Sequence, residues 1–214
     1  MGKDQKPFFT IGIPTYKNEL VKQSIKSCLW QTFGDFEVIV TNDDPDEKLT
    51  LQSLGFDDSR VTVVNNLKNI GALPNINSSI ALARGEYFFW LGHDDMLMPD
   101  FLSAVKHALD QHSGASCVYT SYTDGAEYPQ DVSPSIGSGQ FLTGKEFLKA
   151  YLQRKYRIQG WYGVFKTEMF KKIGGMEQLG HAWYSPCSDL LIPIRVALES
   201  SIIVIDFPLI FYRV

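Results

Sequence analysis

The sequence predicts an α/β fold in which a mostly parallel central sheet is flanked by helices. Three observations carry this. Apolar runs of strand length alternate with stretches of helical periodicity, the runs are nearly continuous, as strands covered on both faces require, and polar or Gly/Pro punctuation separates them. In such sheets ligands bind beyond the carboxyl ends of the strands, so the segments that follow strands matter most for chemistry.

Residues 8–14 are the first apolar run and end in polar Thr15-Tyr16-Lys17-Asn18. Val21, Ile25, Cys28 and Leu29 then recur at helical spacing, with Asn18 as the expected N-cap. Residues 36–41 read as a strand, 46–54 as a polar helix, 61–64 as a strand and 74–83 as a helix, after which Gly85 punctuates. Residues 87–91 read as another buried strand. Pro99 suits the first turn of a helix that aligns Phe101, Leu102, Val105 and Leu109 and stops before Gly114, and 115–120 is one more strand. The second half departs from this rhythm. Residues 121–140, rich in Ser, Gly, Pro and Asp, read as a long loop of the kind that often serves as a lid, and 143–153 as a helix. A short strand at 161–165, a helical turn begun by Thr167, a Gly174-Gly175 break, a helix at 190–198 kinked by Pro193, and strands at 202–205 and 209–212 complete the reading.

A chain of 214 residues is long enough for one sizeable core. With 44% hydrophobic and 21% charged residues it is neither disordered nor collagen-like. Lys and Arg number 20 against 24 Asp and Glu, a net charge of -4, so the basic excess that neutralises phosphate backbones is missing and no nucleic-acid partner is expected. Cys28, Cys117 and Cys187 are far apart with no C-x-x-C spacing, which argues against a disulfide framework, a zinc site or a redox dithiol and for a reducing, cytoplasmic setting. No apolar run approaches the roughly 18 residues of a spanning helix. The N-terminus lacks the apolar region of a signal peptide, and Lys6 stands where a myristoylation motif has Ser or Thr.

Paired carboxylates follow two of the strands, Asp43-Asp44 after 36–41 and Asp94-Asp95 after 87–91. In a parallel sheet the two pairs share one rim. Clustered carboxylates repel unless a cation holds them, and Mg²⁺ or Mn²⁺ prefers oxygen ligands and keeps positions open for phosphate oxygens. The same pairs also serve as turn formers and helix caps, which is the plainer alternative.

These segments carry a resemblance. FTIGIPTYKN resembles a strand ending in I-P-T-Y/F-N, QTFGDFEVIVTNDDPD resembles Q-T-[YF]-x-D-[FW]-E-I-I-[VI]-x-D-D-G-S, and ALARGEYFFWLGHDDMLMPDFL resembles A-x-G-[DE]-Y-I-x-x-L-D-x-D-D-x-x-x-P. All three, in register and in order, are segments of the inverting nucleotide-sugar glycosyltransferases with the GT-A fold, glycosyltransferase family 2, which includes many bacterial polysaccharide-building enzymes. The resemblance covers nearly the whole chain. It implies one GT-A domain over 1–214, with about 1–120 binding a nucleoside diphosphate sugar and about 121–214 binding the acceptor, a glycan or lipid-linked glycan. It also implies a cytoplasmic enzyme, at the cytosolic membrane face where its acceptor is lipid-linked.

By the resemblance, Pro14, Thr15 and Tyr16 line the nucleobase pocket, and Asp43 or Asp44 accepts hydrogen bonds from the base or ribose. Tyr16 either stacks on the base or packs at a helix entry. Asn69, Gly71 and Asn77 belong to a segment that approaches the nucleotide, with Ile76 where many members have Arg. Asp94 matches the last Asp of the metal-binding D-x-D and is the leading candidate ligand for Mn²⁺ or Mg²⁺ bridging the donor diphosphate; Asp95 either supports it or caps the Pro99 helix. Gly92 replaces the first Asp of that motif, and His93 either adds a nitrogen ligand or is an ordinary loop histidine.

For the acceptor side, Gly174-Gly175-Met176-Glu177-Gln178 and Ser188-Asp189 ahead of Arg195 resemble G-G-[FM]-[DE]-E and E-D-x-x-L-x-x-R. Asp189 falls on the aspartate expected to take the acceptor proton in a single inverting displacement, or else simply caps its helix. Trp161, Tyr162, Trp183 and Tyr184, with His181, are the candidate acceptor platform. Tyr212-Arg213 resembles a Y-R segment after which a metal-reaching His often follows. Two other readings compete: a sugar nucleotidyltransferase, whose Gly-rich basic phosphate loop PTYKN does not match, and a non-catalytic nucleotide-sugar-binding domain, which Gly92 and Ser188 keep open.

Overall fold

A computed structural model describes residues 6–129, 139–177 and 188–214. The strands in it are β1 (Phe9–Thr15), β2 (Phe36–Asn42), β3 (Val61–Asn65), β4 (Tyr87–Trp90), β5 (Met96–Leu97), β6 (Ala115–Gly125), β7 (Gln140–Leu142), β8 (Val164–Lys166) and β9 (Ser201–Arg213). They form one sheet in the order β3-β2-β1-β4-β8-β6-β9-β5, with β7 also paired to β9. β3, β2, β1 and β4 run parallel. The carboxyl ends of β1, β2 and β4 therefore meet at one rim.

The helices are α1 (Val21–Leu29), α2 (Leu51–Leu54), α3 (Ala72–Leu82), α4 (Phe101–Gln111), α5 (Gly144–Leu152), α6 (Thr167–Lys172) and α7 (Ser188–Glu199), with a 3₁₀ turn at Gly160–Tyr162. They cover both faces of the sheet, and the period-2 alternation of strand side chains sorts the core into two layers. Phe89 and Leu91 pack with Ile25 of α1 and Phe101 of α4, whereas Phe88 and Trp90 pack with Ile80 of α3, Phe170 of α6 and Val196 of α7. All residues of β2 and β4 are buried, which is why 38–40 and 87–90 run apolar without alternating, while the buried Glu37 of β2 pairs with Arg84.

Several boundaries differ from the sequence reading. Asn18 is not the N-cap of α1: its Oδ1 accepts from the Leu20 amide, at 2.8 Å, and Leu20 occupies the cap position. The expected helix at 46–54 is reduced to α2, begun by a Thr50–Ser53 capping box. Asn65 holds the preceding residues out of a helix by donating to the Leu49 carbonyl and accepting from its amide, both at 2.9 Å. The start of the expected loop at 121–140 continues β6 to Gly125, because β9 runs unbroken through Pro208 and pairs alongside it. β9 absorbs its two expected strands through register shifts beside Thr120 and Ser121. The expected strand at 161–165 begins instead with the 3₁₀ turn.

Candidate active site

At the rim shared by β1, β2 and β4 lies a cavity of about 380 Å³. Pro14, Thr15 and Tyr16 enter it from β1, Asp43 from β2, and Gly92, His93 and Asp94 from β4; Asn69, Gly71, Asn75 and Ile76 close one side and Trp161 the other. Three segments far apart in sequence thus converge because parallel pairing brings their ends together. Tyr16 is 45% exposed, with Lys17 Nζ 5.3 Å from its ring centroid.

Asp43 is buried and organises the loop opposite. Its Oδ1 accepts from Asn66 Nδ2 at 2.8 Å and from the Ile70 amide at 2.9 Å, and its Oδ2 accepts from the Gly71 amide at 2.9 Å. Gly71 has φ +89°, a backbone region that disfavours side chains, and this turn aims its amide at the carboxylate. Asn75, also buried, donates to the Thr41 carbonyl at 3.0 Å and accepts from Asn66, tying α3 to the end of β2. Asp44 points elsewhere: it lines a separate hollow of about 480 Å³ with Lys17, Asp46 and Glu47. Of the two aspartates offered by the sequence, Asp43 is the one placed beside Tyr16 and Asp94.

Asn77 is not placed in the cavity. Its Nδ2 donates to the Met176 carbonyl at 2.8 Å and its Oδ1 accepts from the Met176 amide at 3.0 Å, so both ends are used to pin the segment after Gly174-Gly175. Asn75 takes the position the sequence reading gave to Asn77. The signal for it was the asparagine-rich stretch itself, Asn65-Asn66, Asn69, Asn75 and Asn77, in which only side-chain direction separates a lining residue from a fastening one.

Around the carboxylate pair after β4, Asp95 is not a helix cap. It is buried, its Oδ1 accepts from the Arg213 amide at 2.8 Å, and burial pushes its pKa up to about 7 against that hydrogen bond. A Cβ added at Gly92 would lie 2.3 Å from Asp95 Oδ2 and 3.0 Å from Tyr162 Oη, so Asp95 fills the space a residue-92 side chain would need. Asp94 remains half-buried at the cavity. His93 is held below the usual imidazole range by burial, opposed by the charge of Asp94, and its buried Nδ1 has no partner among the described residues. Among those residues no group of three or more metal-ligating side chains gathers. The donor set is therefore Asp94, with the orphaned His93 nitrogen next to it, and it suits an ion whose remaining ligands come from a bound phosphate.

On the acceptor side, Trp161 lines the cavity and stacks on Tyr162, with ring centroids 4.8 Å apart. Tyr162 is only 2% exposed, so it is a packing residue beneath Trp161 and not part of an exposed platform. Asp189, at the first turn of α7, is not one of the residues that line the cavity. Its carboxylate is half-buried and raised above the ordinary range by burial, opposed by hydrogen bonds from its own and the Leu190 amides. Gly160 packs directly on the Asp189 backbone: a Cβ there would meet the Asp189 carbonyl oxygen at 2.1 Å. Pro193, inside α7, has no N–H to offer that carbonyl. The turn that carries Trp161 is thus seated against the turn that carries Asp189. Arg195 pairs with Glu177 at 3.0 Å. Trp183, Tyr184 and His181 lie outside the described residues.

Comparison with known proteins gives the same direction. The chain is 28% identical over 174 residues to an uncharacterised glycosyltransferase of Haemophilus influenzae, covering 78% of this chain and 55% of that one. It is 26% identical over 172 residues to the GalNAc(5)-diNAcBac-PP-undecaprenol beta-1,3-glucosyltransferase of Campylobacter jejuni, covering 77% and 53%. It thus spans about half the length of these relatives. The structure of S. aureus TarS 1-349 in complex with UDP-GlcNAc superposes with a TM-score of 0.72 at 17% identity over 96% of this chain and 58% of that one, a likeness of fold. No helix among the described residues is long and apolar enough to cross a membrane. The model of glycosyl transferase family 2 matches residues 10–174, across the strands and loops that build the cavity, and the chain belongs to that family.

Proposed function

We propose that this protein is an inverting glycosyltransferase that moves a sugar from a nucleoside diphosphate sugar to a hydroxyl of a glycan or lipid-linked acceptor. The observation that carries the reading is the cavity in which Tyr16, Asp43 and Asp94 come together from three strand ends. Tyr16 offers its part-exposed ring to the base. Asp43 has about four lone-pair positions and spends three on Asn66, Ile70 and Gly71, which leaves one for a base N–H or ribose hydroxyl. Asp94, with His93 beside it, would hold a divalent ion, Mn²⁺ or Mg²⁺, which neutralises the donor diphosphate when bound. Among the described residues no lysine or arginine lines the cavity.

The proton of the attacking hydroxyl goes to Asp189. Its raised pKa makes it a stronger base than an exposed aspartate, and Gly160 packs against the backbone of the turn that carries it. The relatives support the donor and acceptor classes: one is named for transfer to a diphosphate-linked undecaprenol glycan, and TarS is solved with UDP-GlcNAc.

The test is calorimetry with a panel of nucleoside diphosphates and their sugars, with Mn²⁺ and with excess chelator, followed by donor hydrolysis. Tight binding of one nucleotide that needs the ion and is lost in Asp94→Ala is expected. No binding across the panel overturns the reading, and binding without any turnover would favour a non-catalytic binding domain.

A further inference from the structure

A second concavity, of about 760 Å³, shares no lining residue with the donor cavity. It is lined by three basic residues, Arg154, Lys155 and Arg157, and three tyrosines, Tyr122, Tyr151 and Tyr156, and is floored by Leu190 and Ile194 of α7. On a chain of net charge -4, residues 144–157 hold five basic residues and a single acidic one, Glu146. Arg157 is spoken for, pairing with Asp124 and lying 4.7 Å over the Tyr122 ring. Arg154 and Lys155 are exposed and have no carboxylate partner among the described residues. Arg154 sits at φ +53°, in a left-handed turn just after α5, and Lys155 Nζ lies 5.3 Å from the Tyr156 ring centroid.

The position of this groove gives it a purpose. Leu190 follows Asp189 directly, Ile194 lies about one turn further along α7, and the Asp189 charge reaches Tyr151. Ile158 lies in the groove while Trp161, three residues on, lines the donor cavity. A molecule in the groove therefore reaches Leu190, the residue after Asp189, and Ile158, three residues before the Trp161 of the donor cavity. The donor's diphosphate is served by the acidic rim and its ion, so the groove's cations answer to a different anion. Concavity and tyrosine faces suit a sugar chain, since aromatic faces take the C–H faces of sugars and hydroxyls take their oxygens, and a flat lipid surface would leave the hollow unfilled.

We propose that this groove binds the acceptor through a phosphate joined to its sugar chain, with Arg154 and Lys155 holding the phosphate and the tyrosines the adjoining sugars. The inference rests on the glycosyl-transfer reading, and its test separates the two. Binding is measured by thermophoresis to oligodextran, to phosphorylated oligodextran and to farnesyl diphosphate, at low and at physiological salt, for the wild type and for Arg154→Glu/Lys155→Glu. UDP affinity with Mn²⁺ is measured in parallel. The phosphorylated sugar is expected to bind at least tenfold more tightly than oligodextran, to weaken with salt, and to lose at least tenfold in the double variant while UDP affinity stays within twofold. Binding of phosphorylated oligodextran assigns a phosphate within the glycan, and equivalent charge-dependent binding of farnesyl diphosphate assigns the diphosphate of a lipid anchor. Equal affinity for the two dextrans with no binding of farnesyl diphosphate overturns the proposal even when UDP binds normally. So does charge-dependent binding of phosphatidylglycerol vesicles when the soluble probes fail, since the patch would then face a membrane.

Discussion

At the scale of single residues, the site departs from its family's pattern in a way that packing explains. Gly92 stands where an aspartate is expected, and Asp95 has taken the space, anchored through Oδ1 to the Arg213 amide. Adding one methyl group, Gly92→Ala, forces Asp95 to turn away from that amide. We expect a loss of about 1–3 kcal/mol in urea denaturation, the usual scale for overpacking or for breaking a buried hydrogen bond. The loss should shrink in an Asp95→Ala background, and an unchanged midpoint in Gly92→Ala would show that the carboxylate moves freely. Asp189 has a different signature. Burial raises its pKa, so the folded state binds that proton more tightly than the unfolded chain. The stability it contributes therefore falls as pH rises from the ordinary carboxylate range through the raised value. Asp189→Asn should consequently keep or slightly raise Tm at pH 7 while lowering turnover by about 10² to 10⁴. In the wild type, kcat/KM should fall on the acid side through a pKa above the ordinary value of about 3.9. A helix cap alone would leave turnover near normal in Asp189→Asn, with about 1 kcal/mol of stability lost only in Asp189→Ala.

At the scale of elements, the loop between β3 and α3 is largely exposed, Leu67 fully so. It is held by Asp43, whose carboxylate takes the Ile70 and Gly71 amides and the Asn66 side chain. Asp43→Asn turns an acceptor-only group into one that presents donors to donors. Hydrogen exchange at the Ile70 and Gly71 amides should speed up at least tenfold, and nucleotide affinity should fall with it, while exchange in β1 and β4 is unchanged. Protection that persists at those amides would mean the loop is held by other contacts. Strands and amphipathic helices were legible because burial on one or both faces writes itself into the period of the sequence, as in β2, β4, α1 and α4. Side-chain direction at strand ends was not. Asp43 and Asp44 are adjacent and both buried, yet they face different hollows, and Asn75 and Asn77 exchange roles because a helix turns through about 200°, just over half a circle, between them. The groove beside α5 was invisible for a related reason: its tyrosines come from β6, α5 and the turn after α5, and only their packing makes them neighbours.

At the scale of the whole molecule, the two ends of the fold are fastened at the site. β9 runs antiparallel to β5 and ends beside the loop that carries Asp94. There Arg213 Nε donates to the Asp94 carbonyl at 3.0 Å, Nη1 to the Ala126 carbonyl at 2.7 Å and Nη2 to Gln23 Oε1 at 2.9 Å. One guanidinium thus joins α1, the metal-candidate loop, the exit of β6 and the last strand, each approached from a different direction. An ammonium group is a point charge on a flexible stem and does not reproduce that fork. If the ion at Asp94 is shared with the donor diphosphate, its affinity depends on how rigidly this loop is held, and Arg213 is a positioning residue for it. Arg213→Ala should cost about 1–3 kcal/mol of stability from its lost hydrogen bonds. The distinguishing readout is calorimetric: affinity in Mn²⁺ for whichever nucleoside diphosphate the panel selects should fall roughly tenfold, equivalent to about 1.4 kcal/mol, while the weaker affinity measured in chelator stays the same. Arg213→Lys should recover little of the difference. Equal losses with and without the ion would mean that Arg213 supports the fold generally, and undiminished affinity in Mn²⁺ would mean that the Asp94 loop keeps its shape without the last strand.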